Sequence, residues 1–171
     1  MPAGFKPTSS TIVVSGSITE SVAGTLASEQ VNLSLNTLDQ EVFVVLAVDL
    51  DFQSPDSIGG TNTQVRGSIS STDIGSFGTI SDTNVIAAGR LDIRSGAPND
   101  SVPFELMSMS APQGSDLDYI AIISTSNFFA QVVGANNLTA KGLSYRVWGY
   151  RAKVTDAGIY AALVQSELLS N

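Results

Sequence analysis

The chain is built from short alternating or continuous apolar stretches, each closed off by Gly, Ser, Asn, Asp or Pro. A period of two sends successive side chains to opposite faces. Runs of about four to eight such residues, bounded by turn formers, have the length and chemistry of β-strands. Eight segments read this way: 10–18 (STIVVSGSI), 29–36 (EQVNLSLN), 41–52 (EVFVVLAVDLDF), 63–71, 83–94, 103–110, 117–133 and 143–154. SFGTI at 76–80 is a candidate extra piece, and 117–133 is expected to bend near Ser126. Long irregular connections favour a sandwich over a barrel of tight hairpins. The fold class expected is therefore all-β: an eight-stranded antiparallel β-sandwich of jelly-roll type. At 171 residues it is long enough for one domain, 1–171, with a full core. Asp156 can cap a short C-terminal helix through AGIYAALVQSELL, with Ile159, Ala162 and Leu163 as its apolar stripe; one more strand over Ile159 to Val164 is the alternative.

Two segments are apolar on both faces. In 41–52, strict alternation puts Val42, Val44, Leu46, Val48, Leu50 and Phe52 on one side, and Phe43, Val45, Ala47, Asp49 and Asp51 on the other. Such a strand is central, covered on the second side by a loop, a helix or a neighbouring subunit. Segment 143–154 holds three of the eight basic residues (Arg146, Arg151, Lys153), the single tryptophan, Trp148, and two of the four tyrosines, Tyr145 and Tyr150. A jelly roll makes its first and last barrel strands neighbours, and these two long segments suit that kind of pairing. If antiparallel, Asp49 and Asp51 fall beside Tyr145 and Arg146; if parallel, beside Arg151 and Lys153. Either way the carboxylates meet a cation. Phe128 and Phe129 lie on opposite faces of their strand, so one belongs to the core and the other to a helix or a partner.

Composition narrows the function. There is no histidine and no cysteine, which removes the commonest general base, imidazole and thiolate metal sites, disulfides, and the Ser-His-Asp and Cys-His arrangements. A net charge of −8 argues against the phosphate backbone as a partner. Only 14% of residues are charged, against about 25% in an ordinary soluble domain. A surface of small neutral polar groups loses little when neighbours cover it. MPAGFKPTSS has no apolar leader, and the longest apolar run, Val42 to Val48, falls far short of the ~20 residues that span a bilayer.

The acids give the remaining chemical candidates. Asp49, Asp51 and Asp56 in DLDFQSPD form the densest cluster, and a hard cation such as calcium could bridge them with loop carbonyls. The spacing is not that of an EF-hand, and strand-end acids paired with arginine are the simpler reading. Asp116 and Asp118 in DLDY read as edge-capping charges. Asn137-Leu138-Thr139 matches a glycosylation sequon, which carries no meaning if, as expected, the chain is not exported. No nucleophile elbow, P-loop or dinucleotide fingerprint is present.

The tract from DYIAIISTSNFFAQVVGANN through YRVWGYRAKV to DAGIYAALVQSELLSN resembles the C-terminal half of small single jelly-roll capsid proteins of non-tailed icosahedral DNA viruses. The resemblance implies a non-enzymatic coat subunit, made in the host cytoplasm and resident in the virion. Its partners would be copies of itself, with a second coat protein or an inner viral membrane nearby. MPAGFKPTS carries one lysine and no arginine, so direct contact with nucleic acid is not expected. Arg146, Trp148, Tyr150, Arg151 and Phe129 are the candidate subunit-interface residues, because arginine and aromatics concentrate contact energy. No cofactor is expected beyond the candidate calcium. A capsid-decorating, fibre or cell-surface sandwich that binds glycan or protein is the alternative.

Overall fold

The computed structural model describes residues 4–96 and 118–169, together with the backbone of 104–109. Its strands, in chain order, are β1 (Phe5–Pro7), β2 (Ile12–Thr19), β3 (Ala27–Asn32), β4 (Glu41–Phe52), β5 (Thr63–Ser70), β6 (Val85–Arg94), β7 (Phe104–Met109), β8 (Ala121–Ile123), β9 (Asn127–Ala135) and β10 (Gly142–Val154), followed by helix α1 (Ala157–Leu169). They form two antiparallel sheets. In the first, β10 lies between β4 and an edge shared by β1 and β2, and β8 flanks β4; in the second the order is β3-β9-β5-β6-β7. Consecutive strands change sheet at every step except β5-β6-β7 and the shared edge, and the first and last strands are neighbours. That is the jelly roll.

Ten strands stand where eight were expected. FKP is too short to alternate, yet it pairs with the end of β10, Lys6 opposite Lys153. The bent segment divides into β8 and β9. Residues 76–80 are loop, folded over the outer face of the second sheet, where Gly78 N–H donates to Gln131 Oε1 at 3.2 Å. Asp116 lies outside the described residues.

The core fills the space between the sheets. Phe43, Val48, Leu50, Leu143, Tyr145 and Val147 face Val65, Ile69, Leu91, Phe128 and Val132, all buried. Phe128 meets Tyr145 edge to face, with centroids 6.1 Å apart and planes at 82°, the arrangement that aromatic quadrupoles favour.

Strict alternation fails in one place. The β4–β10 register slips between Trp148 and Gly149, so Trp148 pairs with Ala47 and Gly149 with Val45, leaving Leu46 as the extra residue of a bulge. Before the bulge Phe43 and Val45 point into the core; after it Val48, Leu50 and Phe52 do. Val42 and Val44 therefore turn outward. With Ala152 and Val154 they make a second apolar cluster, against which Phe5, Tyr150 and Tyr160 pack. The expected cover on the second face of this strand is thus supplied by β1 and α1. Gly149 is required here: a Cβ on it would lie 2.5 Å from the Phe43 ring and 2.5 Å from the Val44 carbonyl oxygen.

Helix α1 starts as the sequence suggests. Asp156 Oδ1 accepts from Gly158 N–H at 2.7 Å, capping an orphan donor. Its seat differs from the expected stripe. Ile159 and Ala162 are exposed, and the helix leans on Tyr160 and on Glu167, its one fully buried residue. Nearly every position of AGIYAALV is apolar or small, so no stripe is marked out in the sequence.

Candidate functional site

The crowded last strand separates into distinct roles. Odd-numbered residues of β10 up to Val147 enter the core, and even-numbered ones face outward. Arg146 stands exposed on the outer face, directly opposite Asp49 of β4 and Ser15 of β2; Ser144 stands opposite Asp51. This is the antiparallel register, in which the two acids approach Tyr145 and Arg146. Together with Ser15 and Ser17 they line a shallow polar depression. Trp148 is half-buried on the same face, between Ala47 and the exposed Val13. Tyr150 packs into the second apolar cluster, and burial, with the nearby Asp118 charge, raises its pKa. Arg151 works within the subunit: its Nη2 donates to the Leu33 carbonyl at 3.0 Å and its backbone N–H to Ser9 Oγ at 2.9 Å. Of the interface candidates on that strand, Arg146 and Trp148 are the ones left facing outward.

Phe129 lies on the outer face of the second sheet. It lines a groove with Tyr160, Val164 and Leu168 of α1 and with the polar turn 124–127 between β8 and β9. Glu167 anchors the helix to that turn. Its carboxylate accepts from the backbone N–H groups of Ser124 (3.0 Å) and Thr125 (3.1 Å) and from the Ser124 hydroxyl. One carboxylate from the end of the chain thereby satisfies the donors freed where β8 breaks into β9. Beyond that latch the helix presents Ile159 (40% exposed), Leu168 (60%) and Leu169 (72%) outward.

The three acids proposed as a calcium site do not converge, and that expectation is corrected. Asp49 and Asp51 stay on the outer face of β4. Asp56 turns away to Lys141, with Nζ 2.6 Å from its Oδ1, while its Oδ2 accepts from the N–H groups of Leu138 (2.8 Å) and Thr139 (3.2 Å). The Lys141 hydrogen bond, aided by those two donors, lowers the Asp56 pKa to about 2 despite the opposing effect of burial. Its carboxylate is committed to organising the β9–β10 turn. Asn137 of the sequon serves the same turn, accepting from Asp56 N–H and donating to the Gln64 carbonyl. Buried Glu20 completes it, accepting from Gly134 N–H at 2.7 Å and Lys141 N–H at 2.9 Å. Among the described residues no group of three acidic, imidazole or thiol side chains is arranged to hold a metal ion, and no helix is long and apolar enough to cross a membrane.

One charged cluster went unread in the sequence: on the outer face of β5 and β6, Arg90 and Arg94 both pair with Asp92, and Arg66 stands opposite Arg90. The available signal was their placement at alternate positions of two strands joined in sequence.

No protein-family model and no curated protein matches the chain. Among solved structures it is similar to a chain of Desmodium yellow mottle tymovirus, at 13% identity and a TM-score of 0.29, over 90% of each chain. That likeness is too loose to bear on function.

Proposed function

We propose that this chain is a coat subunit: a single jelly-roll domain, 1–171, structural rather than catalytic, that assembles with copies of itself into the icosahedral shell of a virion. The observation that carries the reading is the outward apolar surface of α1 and its groove. Phe129, Tyr160, Val164 and Leu168 line a channel, and Leu168 stands 60% exposed at its edge. A subunit that stays alone gains nothing from such exposure, and contiguous apolar surface of this kind marks a contact. Arg146 and Trp148 offer a second outward patch on the other sheet.

The resemblance of the final third of the chain to single jelly-roll coat proteins of DNA viruses supports the same reading. So does the sparse, net-negative charge, which favours a position away from nucleic acid, beside a second coat protein or outside an inner membrane. Synthesis in the host cytoplasm and residence in the virion follow from that role.

Negative-stain microscopy and light scattering of the purified chain, with and without calcium, test the proposal. Closed shells, rings of capsomer size or sheets are expected, unchanged by calcium. A monomer at every concentration would refute it and favour a decorating or cell-surface binding module.

A further inference from the structure

On the outer face of the second sheet two arginines stand directly opposite each other. Arg66 of β5 and Arg90 of β6 are register partners. Side chains so placed have Cβ atoms about 5 Å apart, and like charges there repel. Among the described residues, nothing neutralises both. Arg90 and Arg94 share Asp92, at 3.5 and 3.3 Å, and Gln64 donates to the same carboxylate. Arg66 makes no ion pair among the described residues. Its guanidinium lies over the Phe77 ring, 4.8 Å from the centroid, and its buried Nε has no hydrogen-bond partner. Arg66, Arg90, Phe77, Thr79 and Ile80 line one open depression. Among the described residues, Arg66, Arg90 and Arg94 share this face with one carboxylate, Asp92, which the latter two already take; in a chain of net charge −8 this is a local excess that an added carboxylate would relieve, most strongly through two-pronged hydrogen bonds.

The complementary group is on the far side of the same molecule. Asp49 and Asp51 are exposed at alternate positions on the outer face of β4, so they stand about 7 Å apart along the strand. That spacing suits two guanidiniums rooted side by side, one carboxylate to each. Receptor and ligand occupy opposite faces of the sandwich, so the contact runs head to tail between copies and repeats, as ring- and shell-forming contacts do. Arg146 remains at the rim, beside Asp49.

We infer that Arg66 and Arg90 form a receptor for Asp49 and Asp51 of a second copy of this chain. The inference rests on the coat reading and names one of its contacts. Sedimentation velocity tests it on the full-length chain and two charge-reversed forms, R66E/R90E and D49K/D51K. Thermal unfolding checks that each is folded, and R66Q/R90Q supplies a milder loss of the cations. In either reversed form alone, receptor and ligand carry the same sign, and self-association falls about 100-fold or more. Mixed in equal amounts, every contact between unlike copies is again complementary, and association returns. Raised salt weakens the contact in the parent chain. The inference is overturned if R66E/R90E associates as the parent does, or if the folded variants stay apart when mixed. Shells formed equally by parent and variants would remove this contact and leave the coat reading standing. A parent chain that never associates would remove both.

Discussion

Gly149→Ala is the sharpest test of the packing around the β4 bulge. The added Cβ would lie 2.5 Å from both the Phe43 ring and the Val44 carbonyl oxygen, about 1 Å inside the 3.5–4.0 Å at which carbon atoms attract. Phe43 is fully buried, so its ring has no free space to enter, and the carbonyl belongs to the β4 backbone beside the bulge. Overpacking a filled core costs about 1–3 kcal/mol, and two simultaneous clashes put this case near the upper end, about 3 kcal/mol. Replacing glycine also restrains the unfolded chain, which returns about 0.5–1 kcal/mol. The net loss is about 2–2.5 kcal/mol, a fall in Tm of roughly 4–10 °C for a chain of this length. Thermal unfolding followed by circular dichroism reads it directly. Repeating the substitution in a Phe43→Leu background removes the ring from one clash, and the cost of Gly149→Ala should drop by about 1 kcal/mol. A variant melting within about 1 °C of the parent, or equal costs in the two backgrounds, would refute the account of the bulge.

Glu167→Ala should unhook α1: the buried Ser124 N–H and the partly buried Thr125 N–H lose their acceptor, costing about 1.5–3 kcal/mol, and amide hydrogen exchange over 157–169 should accelerate while β4 and β10 stay protected. Arg151→Ala should destabilise the subunit by about 1–2 kcal/mol in urea unfolding, by freeing the Leu33 carbonyl. Because the Asp56 pKa is lowered from 3.8 to about 2, its ionised form stabilises the fold fully above the unfolded value, and that contribution is lost as pH falls from about 4 through about 2. Asp56→Asn should flatten that part of a Tm-against-pH profile; an unchanged slope would show that the Lys141 contact is not made in solution.

How much of this was legible depends on the range of the interactions involved. Local patterns were readable. The alternation of 41–52 and 143–154 announced two strands, and the antiparallel alternative correctly set Asp49 beside Arg146. Asp156 announced the helix start. What escaped was set by partners far along the chain. VVLAVDLDF keeps its period of two through Leu46, so the bulge shows only when Phe43 is seen stacked on Gly149. The break between β8 and β9 is held by Glu167, more than forty residues later (|i−j| = 43). The grouping of Asp56 with Asp49 and Asp51 rested on closeness in sequence, yet Asp56 meets Lys141, at |i−j| = 85, and leaves the other two. Of the interface candidates, Tyr150 and Arg151 carry contacts within the subunit, while Arg146, Trp148 and Phe129 lie outward, a division that depends on which face each strand turns to the core.

The central claim is that this jelly roll assembles through the surface of α1 and its groove. The most direct measurement is the mass of the purified chain by multi-angle light scattering, beside a Phe129→Ser, Leu168→Ser variant whose thermal unfolding matches the parent. The account predicts a large particle for the parent and subunits or small oligomers for the variant. A parent that stays a monomer, or a variant that assembles as fully as the parent, would contradict it.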